Sequence, residues 1–197
     1  PKTQDNPGLL ISRDDSTLPV TIRGILGIDP FELQYRADMT ELLGAIDDET
    51  VLITSAVADN LEVTKGDYVL IKGRRLRVGK LLDAVRMSAS KDMDTSSILP
   101  ADFTEASSTQ QNSNSQQDAE LMTQRNWASL PVDQVAVTSA DTAKALGAGL
   151  YGLMVYTADT TEAVETAEDM ARMLPYPIAA TRDNGVYRHL LGTILSA

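Results

Sequence analysis

Cysteine is absent from this chain, which excludes disulfides, thiolate catalysis and Cys-ligated zinc. Histidine occurs once, as His189. A transition-metal site would therefore have to rest on carboxylates. The acidic clusters Asp14-Asp15 and Asp47-Asp48-Glu49 lack the spacing of a calcium loop, and they read as solvated turns. Aromatic residues make up only 5% of the 197 positions, so a core must be built from Val, Leu, Ile, Ala and Met. Lys and Arg total 17 against 28 Asp and Glu, a net charge of −11. Neutralising phosphates takes clustered basic residues, so this balance argues against a general nucleic-acid binder. No apolar run approaches the ~20 residues that span a bilayer, and no signal peptide is visible. The chain starts Pro1-Lys2-Thr3 and reads as a segment cut from a larger protein.

Catalytic motifs are scarce as well. Gly147-Ala148-Gly149-Leu150-Tyr151-Gly152 matches the dinucleotide glycine pattern. That pattern works when a strand precedes it and a helix follows, so that pyrophosphate meets a helix N-terminus. Here the periodicity predicts a helix before and a strand after, so these glycines read as a helix stop. Gly73 to Gly79-Lys80 has one residue too many for a phosphate loop, and Leu81 stands where Ser or Thr is required. No nucleophile elbow accompanies His189, which reads as structural or interfacial. No cofactor and no metal is expected.

The chain does contain enough apolar residues for a sizeable core, at 43%. Gly8–Ser12 and Leu18–Leu26 read as strands, and 38–46 as a short helix. Val51–Thr54 is a short apolar strand, with Ser55 placed to cap a helix over Ala56–Leu61. Tyr68–Lys72 and Leu76–Leu82 read as a hairpin turning at Gly73. Alternation puts Leu76, Val78 and Leu82 on one face of its second strand. Residues 86–130 lose this pattern. Within them 104–117 is Thr, Ser, Asn, Gln and Glu with a single Ala, too polar to offset the entropy of ordering. They read as a flexible insertion, with Leu121, Met122 and Trp127 marking where the chain docks again.

Regular patterning returns in the last third. Gln134–Thr138 reads as a strand, Ser139 as the cap of helix Ala140–Leu146, and Leu150–Thr157 as a longer strand. Asp159 and Glu162 form a capping pattern ahead of an amphipathic helix reaching Leu174. Ile178–Arg182 reads as a strand and Tyr187–Leu195 as a final helix. The phrases Ile53-Thr54-Ser55-Ala56 and Val137-Thr138-Ser139-Ala140 are alike, which we read as convergence on good capping chemistry rather than duplication. The fold class expected is α+β with two subdomains. A β-rich lobe near 40–85 is inserted into an α/β lobe formed by 131–197 with strands from 8–28.

One local reversal of charge stands out. Lys72, Arg74, Arg75, Arg77 and Lys80 place five basic residues within nine positions of the hairpin. They read first as charges that keep a hairpin tip soluble and guard its edge, and second as partner contacts.

The stretch Thr50–Leu82 resembles the extracytoplasmic domain of MacB-like and FtsX-like ABC transporter permeases. The resemblance rests on Val51-Leu52-Ile53-Thr54-Ser55, Ala58, Leu61, Gly66-Asp67, Val69, Ile71, Gly73 and Leu76-Arg77-Val78, taken in order. Thr21–Pro30 is similar to that family's approach to this unit, and Tyr151–Leu195 to the segment leading into its next membrane helix. Two departures are visible: Gly79-Lys80 stands where an apolar pair is usual, and 87–130 has no counterpart. The resemblance implies a MacB-like periplasmic core fold and no catalytic or cofactor-binding residues. It implies 1–197 as one extracytoplasmic domain, on the periplasmic or extracellular side of the cell membrane. An ABC ATPase subunit would act on it indirectly through membrane helices. A second permease, a cargo or an accessory protein would be the direct partner, and no nucleic acid is expected. Val63-Thr64-Lys65-Gly66-Asp67-Tyr68-Val69-Leu70-Ile71 also resembles the Gly-Asp strand of double-psi β-barrels, which implies a cytosolic binding module instead.

Deleting 104–117 should shift the urea midpoint little, because the segment offers almost no apolar surface to bury. A large loss of stability would show that it packs.

Overall fold

The computed structural model describes residues 8–14, 18–92, 96–102, 128–149, 155–157 and 160–173. Among them the α+β class holds. Seven strands form one sheet: β1 Leu9–Arg13, β2 Val20–Ile22, β3 Gly24–Ile28, β4 Thr50–Thr54, β5 Tyr68–Ile71, β6 Arg74–Leu82 and β7 Val135–Ser139. Five α-helices accompany them among the described residues: α1 Ala37–Leu43, α2 Ser55–Leu61, α3 Ala84–Ala89, α4 Ala140–Ala145 and α5 Thr160–Met173. No described helix is long and apolar enough to cross a membrane.

The strand order is β2-β1-β5-β6-β4-β7-β3. The two strands at its ends, β2 and β3, are consecutive in sequence and separated by Arg23 alone. In a flat sheet six strand spacings would hold them about 29 Å apart. A link of one residue bridges only about 7 Å. The sheet therefore curls until its edges come together, and it is nearly closed. Arg23 also ties the seam to other parts of the chain. Its backbone N–H donates to Gln134 O at 2.7 Å, and its guanidinium donates to the Asp102 carboxylate at 2.6 Å. The sequence suggested one strand over Leu18–Leu26; the chain instead breaks at Arg23 and serves two edges.

Curling sorts the apolar residues into two sets. The first gathers residues from all seven strands, among them Ile11, Ile22, Ile53, Ile71 and Ala136, with Ile25 packed against them. Val57, Ala58 and Leu61 of α2 join this interior. The second set lies on the outer side of β3, β4, β6 and β7, where Met39, Leu42 and Leu43 of α1 and Met87 of α3 cover Leu52 and Val137. Every residue of β4 and of β7 is buried. Strands covered on both faces carry consecutive apolar residues, as Val51–Ile53 and Val135–Val137 do here.

The faces of β6 correct the expected alternation. Val51 pairs with Val78, but Leu52 pairs with Lys80, so Gly79 is the extra residue of a bulge. A bulge reverses which face later residues take. Leu76 and Val78 point inward, whereas Leu82 joins the outer set and Leu81 packs against the interior. A Cβ on Gly79 would sit 3.2 Å from both Leu52 and Thr50.

Other boundaries differ in physical detail. Thr54, not Ser55, caps α2, accepting from Val57 N–H at 3.4 Å. Helix α1 stops at Gly44, whose φ of 74° ends it before Ile46, although Ile46 is buried beyond it. The hairpin turns through Lys72 and Gly73, both at positive φ, the geometry that matches strand twist. Ser139 caps α4 as expected, accepting from Thr142 N–H at 3.1 Å. The two similar phrases occupy related places: β4 and β7 are antiparallel neighbours, each with a parallel partner and each running directly into a helix. The caps are one residue out of step between them, Thr54 against Ser139.

Strands from 8–28, 40–85 and 131–197 share one sheet. The ends of the 86–130 stretch are packed rather than loose. Met87, Ile98, Leu99 and Leu130 are buried, and Asp102 and Leu130 N–H donate to Ala128 and Pro100 O across a short ribbon. The expectations for 104–117, Leu121, Met122, Trp127, Asp159, Ile178–Arg182 and Tyr187–Leu195 lie outside the described residues, as does most of Leu150–Thr157. The described end of that last segment, Val155–Thr157, carries no strand pairing. On α5 only Ala167 of the described apolar stripe is buried.

Gly27 gives a direct test of this packing. A Cβ there would come within 2.5 Å of Ala143 Cβ on α4 and 3.1 Å of Ala140 Cα. Gly27→Ala should cost about 1–3 kcal/mol in urea unfolding. Gly149→Ala, which meets nothing within 4 Å, should change stability by less than about 0.5 kcal/mol.

Candidate functional site

The five basic residues of the hairpin are each engaged by this chain's own groups. Lys72 Nζ donates to Leu146 O at 2.6 Å, beyond the last turn of α4. Lys80 Nζ donates to Glu41 O and Leu42 O, at 3.0 and 2.7 Å, in the last turn of α1. Both ammonium groups thus sit where a helix presents unpaired carbonyls and the negative end of its dipole. Arg74 donates to Asp48 O at 3.1 Å, and Arg77 lies 3.6 Å from the Asp47 carboxylate. Arg75 Nε donates to Asp14 at 2.6 Å, and its guanidinium lies 3.5 Å over the Tyr68 ring. The carboxylate beside it holds the Arg75 guanidinium more firmly protonated than usual.

The acidic turns are partners in this bracing rather than merely solvated. Asp48 accepts from Ser139 Oγ at 2.6 Å, and its carbonyl accepts from Thr142 Oγ1 at 2.8 Å. The turn 47–49 therefore links the hairpin to the start of α4. Asp67 accepts from Thr64 N–H at 2.7 Å and from Thr64 Oγ1 at 3.0 Å, and these bonds lower its pKa below the usual carboxylate value.

A groove of about 510 Å³ opens where the parallel strands β4 and β6 end and α2 and α3 begin. Thr54, Ser55, Leu81, Asp83 and Asp133 line it. Its best-placed polar groups are committed: Thr54 caps α2, and Asp83 caps α3 by accepting from Arg86 N–H at 3.0 Å. Among the described residues no group of three or more His, Asp or Glu could hold a metal ion. Of the glycine motif, Gly147 follows α4 at a φ of 92°, the position of a helix stop; 150–152 and His189 lie outside the described residues.

The surface feature that sequence reading missed is aromatic. Phe31 and Tyr35 flank a 3-10 turn over Glu32–Gln34. Tyr156 joins them from the far end of the chain. Tyr35 and Tyr156 stack with centroids 4.1 Å apart, and Phe31 meets Tyr156 edge-on at 5.8 Å. All three remain partly open, with Phe31 49% exposed. Arg36 is buried beside them. It pairs with both oxygens of Asp38 at 3.1 and 2.9 Å, donates to Lys91 O, and lies within 4 Å of Glu32 and Asp92. Burial raises the Glu32 pKa, opposed by Arg36 and reinforced by the neighbouring carboxylates. Burial and then Glu32 push the Tyr156 hydroxyl up to about 12. The four-residue spacing of Phe31 and Tyr35 was readable as a pair on one turn; Tyr156 is brought in only by tertiary packing.

No family model, curated protein or solved structure matches the chain.

Glu32 yields a pH prediction. Its folded-state pKa lies above the unfolded value, so the folded state binds the proton more tightly. The stability this proton confers is present at low pH and lost as pH rises through the folded pKa. Glu32→Gln should therefore gain stability relative to the parent chain between pH 4 and pH 7. A melting-temperature difference that is flat or falls over this range would contradict the assignment.

Proposed function

We propose that this chain is a non-catalytic extracytoplasmic domain of a MacB-like or FtsX-like ABC transporter permease. It passes motion driven by ATP hydrolysis elsewhere to cargo or a partner outside the membrane. The observation that carries the reading is the element order across Thr50–Leu82. A buried strand, a seven-residue helix, a Gly66-Asp67 turn and a hairpin follow one another as the resemblance implies. The bracing of the hairpin onto α1 and α4 supports a mechanical role, since a closely packed unit transmits displacement whereas a loose one absorbs it. The finer two-lobe, periplasmic-core description belongs to this proposal. Its partners are those of such a permease: an ATPase subunit reached through membrane helices, a second permease, or a cargo or accessory protein.

A second reading has its own observation. The nearly closed sheet contains two parallel pairs, β3 with β7 and β4 with β6, around a central antiparallel pair. That arrangement suits a barrel-type binding module, which in the double-psi case would be cytosolic.

The absence of cysteine makes the two readings easy to separate. Val85 on α3 is 80% exposed, so Val85→Cys supplies the one thiol of this segment, with any cysteine elsewhere in the full-length protein replaced by serine. In cells expressing the full-length protein, an impermeant maleimide should label it without lysis. Labelling only after lysis would overturn the permease reading and favour the cytosolic module. Inserting three glycines after Ile194 should also uncouple transport from ATP hydrolysis; unchanged transport would defeat the coupling role.

A further inference from the structure

The aromatic cluster lies outside the hairpin and the groove, and nothing in the proposed coupling role uses it. Three of the chain's six Tyr and two Phe meet at one partly exposed spot. Tyr156 comes from 121 positions beyond Tyr35 to complete it. Exposed ring faces carry negative potential and attract cations, guanidinium above all when it also finds a carboxylate. The rim here is acidic. Glu32 and Asp29 act on Tyr156, and the neighbouring Arg36, buried with a side-chain exposure of 5%, pairs with Glu32, Asp38 and Asp92.

The same chemistry already operates once within this chain. At the hairpin, Arg75 stacks 3.5 Å above the Tyr68 ring while Asp14 accepts from its Nε at 2.6 Å. There the ring, the carboxylate and the arginine all come from one chain. At the cluster the rings and the carboxylates are likewise assembled. Phe31 and Tyr35 there are about as open to solvent as Tyr68, at 49% and 37% against 38%.

We propose that the Phe31–Tyr35–Tyr156 cluster with its acidic rim is a docking surface for an arginine-bearing segment of a partner protein. The guanidinium lies on the open ring surface of Phe31 and Tyr35 and pairs with a rim carboxylate, reproducing the Arg75–Tyr68–Asp14 arrangement between two chains. The site stands independently of the permease reading, since it rests on the surface geometry alone.

The chain contains two phenylalanines, Phe31 and Phe103, so selective ring labelling yields two sets of NMR signals. Titration of the full chain with a hexa-arginine peptide should move the Phe31 signals at low peptide concentration. Hexa-lysine, with the same charge but no planar guanidinium, should bind several-fold more weakly. Phe31→Leu together with Tyr156→Leu should lower the affinity for hexa-arginine about tenfold. If the double variant fails to fold by its amide spectrum, Phe31→Leu alone keeps the apolar contact and should weaken binding about threefold. Phe31 signals that do not move, or affinity unchanged in the folded variant, would overturn the proposal and assign the binding to the general negative charge of the chain.

Discussion

The single residue between β2 and β3 governs the shape of this molecule. Two strands at opposite ends of the sheet order are joined through Arg23, and so the sheet has to wrap on itself. Wrapping creates an inside, and the inside requires apolar residues from every strand. That is where Ile11, Ile22, Ile53, Ile71 and Ala136 are found. Wrapping also brings the seam near 98–102 and 128–134, where Asp102 and Gln134 take up the guanidinium of Arg23. Breaking such a pair while leaving the buried Asp102 behind is costly, which makes Arg23 more than a spacer.

Closure alone would leave the outer face bare, and the bulge at Gly79 helps to cover it. By reversing the alternation of β6, it turns Leu82 outward to meet α1, α3 and the packed ends of the 86–130 stretch. It also aims Lys80 at the carbonyl end of α1. Lys72 does the same for α4. The basic hairpin thus works as a brace between a β-ribbon and two helix ends. Its charges are matched locally within a chain of net charge −11, and the matches are mostly made at the surface, where each pair contributes little alone.

Much of this was legible in the sequence. The short apolar stretch Val51–Thr54 announced β4, Gln134–Thr138 read as the strand that became β7, the Gly66-Asp67 and Lys72-Gly73 turns announced the hairpin, and hydroxyl residues announced the starts of α2 and α4. Those are local signals, read within a few residues. What escaped was long-range. The break at Arg23 is invisible until the strand order is known, because a single residue in a β-rich stretch reads as part of one strand. The bulge is invisible because alternation assumes an unbroken ladder, although Gly79 and Lys80 had already departed from the pattern expected there. Asp48 looked like a solvated turn because its partners, Ser139 and Thr142, lie 91 and 94 positions away. The aromatic cluster escaped for the same reason.

The account depends on closure, and methyl contacts between isoleucines test it directly. In a protein labelled only at isoleucine methyl groups, nuclear Overhauser contacts should join Ile11, Ile22, Ile25, Ile53 and Ile71 into one network. Ile28, Ile46 and Ile98 should form a separate one on the outer face. The decisive member is Ile25, which belongs to β3 at one end of the strand order, whereas Ile11 and Ile22 belong to β1 and β2 at the other. Contacts that place Ile25 in the first network would establish the closed interior. An Ile25 that contacts only the outer set, with Ile11 and Ile22 isolated from it, would contradict it.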